Sequence, residues 1–143
     1  MIKKIRIGCA SGFWGDTDIA APQIVEKSDV DYLVFDYLSE VTMSILARAK
    51  FKNSEDGYAK DFINHIVPLL RKIKQKKIKV ISNAGGVNLD ACKKALIDEA
   101  ELKNINLKIA TVVGDDLIDC QDMLSRMNVK EIDSEKSLPE NLL

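Results

Sequence analysis

Apolar residues along this chain alternate between short continuous runs and longer stretches with helical spacing. The short runs predict strands over 5–9, 32–35, 78–81 and 107–113, and a last run over 129–132 predicts a fifth. Strands that alternate with helices of ten or more residues are typical of βαβ units, which form parallel sheets. The pattern therefore predicts an α/β fold: an open three-layer parallel sheet of four to five βα units, standing alone or as part of a larger α/β domain.

Polar residues mark where several of the predicted helices begin. A first helix is expected over about 18–27, and Ser39 and Asn88 precede two further helical stretches. Side chains of this type accept a hydrogen bond from a free N–H group in the first turn. Asp115 or Asp116 can cap a last helix in the same way.

The apolar positions of the helical stretches predict which faces are buried. In the helix after Ser39, the residues expected on one face are Val41, Ile45, Leu46 and Ala49. In a long helix over about 61–76, the inner stripe is Phe62, Ile66, Leu69, Leu70 and Ile73. Pro68 lies inside that helix and removes one N–H donor, so a kink or a restart is expected there.

Size and composition limit the classes of protein to consider. The chain has 143 residues, 46% of them hydrophobic, which is enough for one globular domain, assigned to 1–132 and followed by a tail over 133–143. Lys and Arg nearly balance Asp and Glu, and no basic stripe carries interleaved aromatics, so nucleic-acid binding is not expected. No apolar run approaches the length of a membrane span. The three cysteines are widely spaced and only one histidine is present, which disfavours zinc and fits a reducing, cytoplasmic location.

The unusual residues gather where the predicted strands end. These strand ends read 9–16, 36–40, 82–88 and 114–116, and they hold most of the glycines and the only tryptophan. In parallel α/β folds the carboxyl ends of the strands meet at one edge of the sheet, and ligands bind there. The sequence therefore predicts a ligand site on this rim.

The loop after the third strand carries Asn83, Gly85 and Gly86. Glycines let the backbone approach a ligand and can place successive N–H groups around an anion. The helix that follows would point its positive end at the same place. A plain tight turn explains the glycines equally well.

The first loop combines small and aromatic residues. Ser11 and Gly12 can offer hydrogen-bond donors, Trp14 beside Gly15 can form an apolar wall, and Asp16 can either cap the next helix or face the ligand. We predict that these residues bind a ligand and that Asp16 takes part in catalysis.

Carboxylates follow the other strand ends. Asp36 ends a buried strand, where it either bonds to loop N–H groups or serves in acid–base chemistry, and it is the second predicted catalytic residue. Glu40 and Asp115 are predicted ligand-binding residues, although helix-dipole and capping roles suffice for both. No spacing of these acids specifies a metal, so none is predicted. Cys9 is expected to be a buried small residue, and His65 a surface or packing residue.

Four segments of the chain resemble the N-terminal domain of the acyclic terpene utilisation proteins. They read IGCASGFWGD, DYLVFDYLSEVTMSILARAK, GYAKDF and VISNAGGVN, and the resemblance extends over about 5–116. It implies that the family's signature positions are Ser11, Gly12, Trp14, Gly15, Asp16, Asp36, Glu40, Asn83, Gly85 and Gly86. It assigns them no roles, and the domain is also described as one of unknown function.

The resemblance also implies a metabolic context. The founding member is associated with catabolism of citronellol- and geraniol-type terpenes, which proceeds through acyl-CoA intermediates. We therefore expect an enzyme, or the substrate-binding part of one, that acts on a small acyl-CoA or carboxylate metabolite; no cofactor is specified. Because family members are usually much longer, the alternative is a non-catalytic subunit or fragment that completes a larger assembly, as a homo-oligomer or with a partner chain. A nucleotide-binding module is a third interpretation.

Overall fold

The computed structural model describes residues 4–137 and 139. The chain divides into two compact units, one ending at Thr111 and the other starting at Val112. Residues 138 and 140–143, at the end of the predicted tail, lie outside the described part.

The first unit is built on a three-stranded parallel sheet. Its strands are β1 (Ile7–Ser11), β2 (Tyr32–Phe35) and β3 (Lys79–Ser82), in the order β1-β2-β3. Gly8, Leu33 and Val80 share one register position, and the β1–β2 register shifts between Cys9 and Ser11. The predicted α/β class and the parallel sheet are confirmed.

Five α-helices connect or follow the strands of this unit. They are α1 (Ala20–Lys27), α2 (Glu40–Lys52), α3 (Lys60–Ile66), α4 (Leu70–Lys76) and α5 (Leu89–Leu102). The caps expected at Ser39 and Asn88 are present, since their side chains accept hydrogen bonds from the N–H groups of Thr42 and Ala91. At Pro68 the chain forms a 3-10 turn over Val67–Leu69 and then restarts as α4.

The helices that contact the sheet lie on one of its faces. A Cβ added to Gly8 would meet Ile24 of α1, and the Phe35 ring of β2 packs edge-on against Phe62 of α3. Right-handed crossovers that advance in one direction place their helices on the same side of a sheet. The first unit thus has a helical layer and a sheet layer rather than the predicted three layers.

The opposite face of the sheet is exposed. Its residues alternate with the buried ones: Ile7 and Ile81 are 61% and 55% exposed, Cys9 is exposed, and Val34 is half-buried. The expectation that Cys9 is buried is therefore wrong. Cys9 is on the side of β1 that no helix of the first unit covers.

The inner stripe of α3 and α4 is buried as predicted, but α2 packs differently. Leu46 is buried, whereas Val41 and Ile45 are 69% and 51% exposed. The buried residues of α2 are Thr42, whose hydroxyl lies 3.0 Å from that of Ser39, and Leu46. The spacing of apolar residues predicted which face of α2 is buried, but the helix buries an adjacent face instead.

The predicted fourth and fifth strands are absent from the described residues. Residues 107–113 form no strand, and Val112 and Val113 are 87% and 77% exposed. Between 129 and 132 only an isolated bridge joins Lys130 to Ser137. An apolar run favours extended backbone, but a strand also needs a neighbouring edge to pair with. The sheet therefore has three strands, not four to five.

The second unit is small and largely exposed. A 3-10 turn over Ile118–Cys120 leads into α6 (Gln121–Arg126). The Asp116 carboxylate accepts a hydrogen bond from the N–H of Ile118 at 3.0 Å. Neither the 3-10 turn nor α6 has a side-chain cap, so the helix cap expected from Asp115 or Asp116 is not formed. Among the described helices of both units, none has the length and apolar character needed to cross a membrane.

Candidate functional site

The carboxyl ends of all three strands are joined by hydrogen bonds. The Asn83 side chain, after β3, donates to the Asp36 carboxylate at 2.7 Å and accepts from the backbone N–H of Tyr37 at 2.8 Å. Ser11, at the end of β1, accepts the N–H of Asp36 at its carbonyl at 3.2 Å, and its hydroxyl donates to the Asp36 carbonyl at 3.3 Å. Asn83, Asp36 and Ser11 therefore occupy one rim, as predicted.

Asp36 is exposed on this rim. Of the two roles considered for it, hydrogen bonding to its surroundings is present, but its donor is the Asn83 amide rather than a loop N–H. The expected cost of burying a carboxylate at the end of a buried strand does not arise, because β2 ends at Phe35 and the chain emerges at Asp36.

The loop after β1 is closed by Asp16. Its carboxylate accepts the N–H of Gly12 at 2.9 Å, and Gly15 has a φ of +87° that lets the chain turn back. The alternative of a helix cap is not realised, because α1 begins after Ile19 with no side-chain cap. Asp16 thus stabilises the loop itself.

Trp14 fixes this loop to α3. Its indole Nε1–H donates to the Asp61 carboxylate at 2.7 Å, and the half-buried ring packs against the core. The hydrogen bond connects two segments far apart in sequence. Asp61 is thus a member of the rim that sequence reasoning missed.

Tyr37 and His65 form a second contact between the rim and α3. Tyr37 is 1% exposed, and its hydroxyl lies 3.2 Å from His65 Nδ1. Burial raises the pKa of Tyr37 to about 12; a hydrogen bond with the Ser11 side chain lowers it, and the negative charge of Asp61 raises it. The Tyr37 ring also stacks on Phe35 at 6.0 Å between centroids, which holds it in place.

His65 is half-buried and contacts the Tyr37 hydroxyl, which agrees with the surface or packing role expected from the sequence. A signal for it did exist: Asp61 and His65 are four residues apart, so they lie on the same face of a helix. That spacing becomes informative only once the rim residues they meet, Trp14 and Tyr37, are known.

The glycine loop after β3 is shaped by packing. A Cβ on Gly86, whose φ is +53°, would lie 2.5 Å from Leu46 Cδ1 and 2.7 Å from the Gly57 carbonyl oxygen. The loop N–H groups of Ala84, Gly86, Val87 and Asn88 donate to Ser82, Asn83, Gly57 and Gly85. A tight turn therefore accounts for Gly85 and Gly86 more fully than an anion-binding loop.

The remaining predicted residues are less closely connected. Glu40 is exposed at the first position of α2, where it complements the helix dipole. Asp115 is exposed and belongs to the second unit. Within residues 4–137 and 139, no three His, Cys, Asp or Glu side chains are grouped so that they could hold a metal ion.

A cleft of about 580 Å³ lies elsewhere. It is lined by α5 residues and by the segment that follows, from Ile97 to Leu107. None of the predicted site residues contributes to it.

Comparison with known proteins assigns the family. No curated protein and no solved structure matches the chain. The family model described as acyclic terpene utilisation family protein AtuA matches residues 5–142, nearly the whole chain. The chain therefore belongs to the acyclic terpene utilisation (AtuA) family.

Proposed function

We propose that the chain is an enzyme, or the substrate-binding part of one, that binds a small acyl-CoA or carboxylate metabolite at the rim. It would act in the cytoplasm, on a small molecule rather than on nucleic acid or a membrane. The supporting observation is the junction of the three strand ends through Asn83, Asp36 and Ser11. In parallel α/β folds this edge of the sheet is where ligands bind.

The rim residues take different parts in this proposal. Asp36 is exposed and held by Asn83, so it is the acid–base group offered to the ligand. Asp16 supports catalysis by closing the loop that carries Trp14. The remaining ligand-binding positions of the rim are Ser11, Gly12, Gly15, Glu40, Gly85 and Gly86.

The test is a titration of the purified protein with acetyl-CoA, free CoA and acetate, followed by the fluorescence of Trp14, the only tryptophan. We expect saturable binding of at least one compound and a loss of about tenfold in affinity for Asp36→Asn, the size of one charged hydrogen bond. Asp98→Asn, an exposed acid paired with Lys94 on α5, is the matched control. Equal affinities in all three proteins would exclude Asp36 from the site.

The second candidate is a non-catalytic subunit that completes a larger assembly. It is favoured by the uncovered sheet face with Ile7 and Ile81, because parallel sheets are normally covered on both faces. This proposal expects association, either with itself or with a partner chain, that weakens in Ile81→Lys. The proposal would be contradicted if the protein sediments as a monomer at every concentration and if adding a cell extract does not change its sedimentation.

A further inference from the structure

The buried pair Tyr37 and His65 has a definite arrangement of protons. Tyr37 keeps its hydroxyl proton at any ordinary pH, since burial raises its pKa to about 12. A buried hydroxyl donates that proton to a neighbouring acceptor. Two acceptors are near it: Nδ1 of His65 at 3.2 Å and the Ser11 hydroxyl oxygen.

The stronger acceptor is the imidazole nitrogen. A neutral imidazole is far more basic than an alcohol oxygen, and the Ser11 hydroxyl directs its own hydrogen to the Asp36 carbonyl. The Tyr37 hydroxyl therefore donates to Nδ1. Because Nδ1 then carries no proton, a neutral His65 must carry its proton on Nε2.

The Nε2–H group is accessible. Within the described residues, no side-chain nitrogen or oxygen is buried without a hydrogen-bond partner. Nε2 has no protein partner there, and the His65 side chain is only half-buried, so this N–H is not fully enclosed by protein. It lies one helical turn from Asp61, which holds Trp14 of the rim.

We propose that the Nε2–H of His65 is a ligand-binding donor of the rim, that Tyr37 positions it, and that it binds an uncharged carbonyl oxygen such as that of an acyl thioester. This inference rests on the proposed function and narrows its ligand class. It adds α3 to the three strand ends as a fourth element of the site.

The carboxylates of the rim favour an uncharged acceptor for the His65 N–H. Asp16, Asp36 and Asp61 all belong to the rim, and none of them takes part in a salt bridge among the described residues. A carboxylate ligand would be repelled by these groups, whereas a carbonyl oxygen accepts the same hydrogen bond without that cost.

The proton arrangement can be tested without a ligand. His65 is the only histidine, so its two ring nitrogens give the only imidazole signals in a 15N NMR spectrum. At a pH where the ring is neutral, we expect Nδ1 in the unprotonated range and Nε2 in the protonated range. Tyr37→Phe should move both signals toward the average of the two tautomers, while Tyr58→Phe should not. A protonated Nδ1 in the native protein, or no change in Tyr37→Phe, would overturn the proposal.

The ligand is tested with two substitutions of similar shape. A glutamine amide can replace the Nε2–H donor, whereas an asparagine amide reaches only the Nδ1 position. We expect acetyl-CoA to bind the native protein and His65→Gln with similar affinity, and His65→Asn about tenfold more weakly. Free CoA and acetate should bind more weakly than acetyl-CoA and should not distinguish the variants.

The outcomes separate the two proposals. Equal affinity of native protein and His65→Asn for acetyl-CoA, or tighter binding of acetate, would overturn the role of His65 while the rim remains a binding site. If none of the three compounds binds the native protein, the proposed function fails and the ligand assigned to His65 fails with it. In that case the 15N NMR signals of His65 still show which ring nitrogen carries the proton.

Discussion

At the scale of single residues, the rim is held by a few side chains with specific contacts. Asn83 joins two strand ends with the two ends of its amide, Asp16 closes a loop, and Gly86 leaves room for Leu46. Asn83 and the glycines could be assigned to the rim from sequence, because parallel strands end at one edge. Their partners could not, since hydrogen bonds across 46 or 47 residues follow from packing and not from local pattern.

Gly86→Ala should destabilise the protein more than Gly15→Ala. Both glycines have positive φ, which costs another residue about 1–2 kcal/mol. Only Gly86 also lacks space, and overpacking adds about 1–3 kcal/mol. We expect the free energy of unfolding in urea to fall by about 2–5 kcal/mol for Gly86→Ala, as the sum of both costs. Equal losses of unfolding free energy in the two variants would show that the Leu46 side chain moves aside without cost.

Tyr37 should make stability depend on alkaline pH. The phenol of the unfolded chain loses its proton near the ordinary tyrosine pKa of 10.0, whereas the folded one retains it up to about 12. Rising pH therefore favours the unfolded state across this range. The contribution of Tyr37 is full below pH 10 and is lost as pH approaches 12. Chemical denaturation across this range should show a smaller loss for Tyr37→Phe than for the native protein. Parallel curves would contradict the burial of the hydroxyl, because Cys92 and Tyr58, whose pKa values burial also raises, are common to both.

At the scale of helices and strands, local sequence signals predicted helix starts and interruptions correctly. The pairing of strands could not be predicted in the same way. Ser39, Asn88 and Pro68 marked a helix start or a helix interruption correctly, because caps and a missing N–H act within a few residues. The run over 107–113 has the composition of a strand, yet it has no ladder partner among the described residues. Whether such a run becomes a strand depends on a free edge, which sequence does not reveal.

The helix α3 should control the loop that carries Trp14. Asp61→Ala removes the acceptor of the indole N–H, so the ring should become more exposed. We expect the fluorescence of Trp14 to shift to longer wavelength and to be quenched more readily by acrylamide. Asn64→Ala, at an exposed position of the same helix, is the control. An unchanged spectrum in Asp61→Ala would mean that packing alone holds the loop.

At the scale of the whole molecule, the rim belongs entirely to the first unit. Its sheet, the helices α1 to α5 and the loops around Trp14, Asp36 and Asn83 all precede Val112. The same unit presents the uncovered sheet face, so the ligand site and the candidate surface for association lie on different parts of it. Asp115 is the one predicted ligand-binding residue outside this unit.

A fragment of residues 1–111 should therefore fold on its own. It retains the described core residues from Ala10 to Ile105. We expect its circular dichroism and Trp14 fluorescence to match those of the full chain, and its unfolding to remain cooperative. An unfolded or molten fragment would show that the second unit is needed for the first.

The rim must bind a small acyl ligand if the proposed function is correct. The most direct measurement is a 1H–15N correlation spectrum recorded during titration with acetyl-CoA. We predict that the perturbed amides cluster at residues 11–16, 36–40 and 82–86 and at the first turns of α3. Perturbations confined to the cleft between Ile97 and Leu107, or the absence of any at saturating ligand, would contradict it.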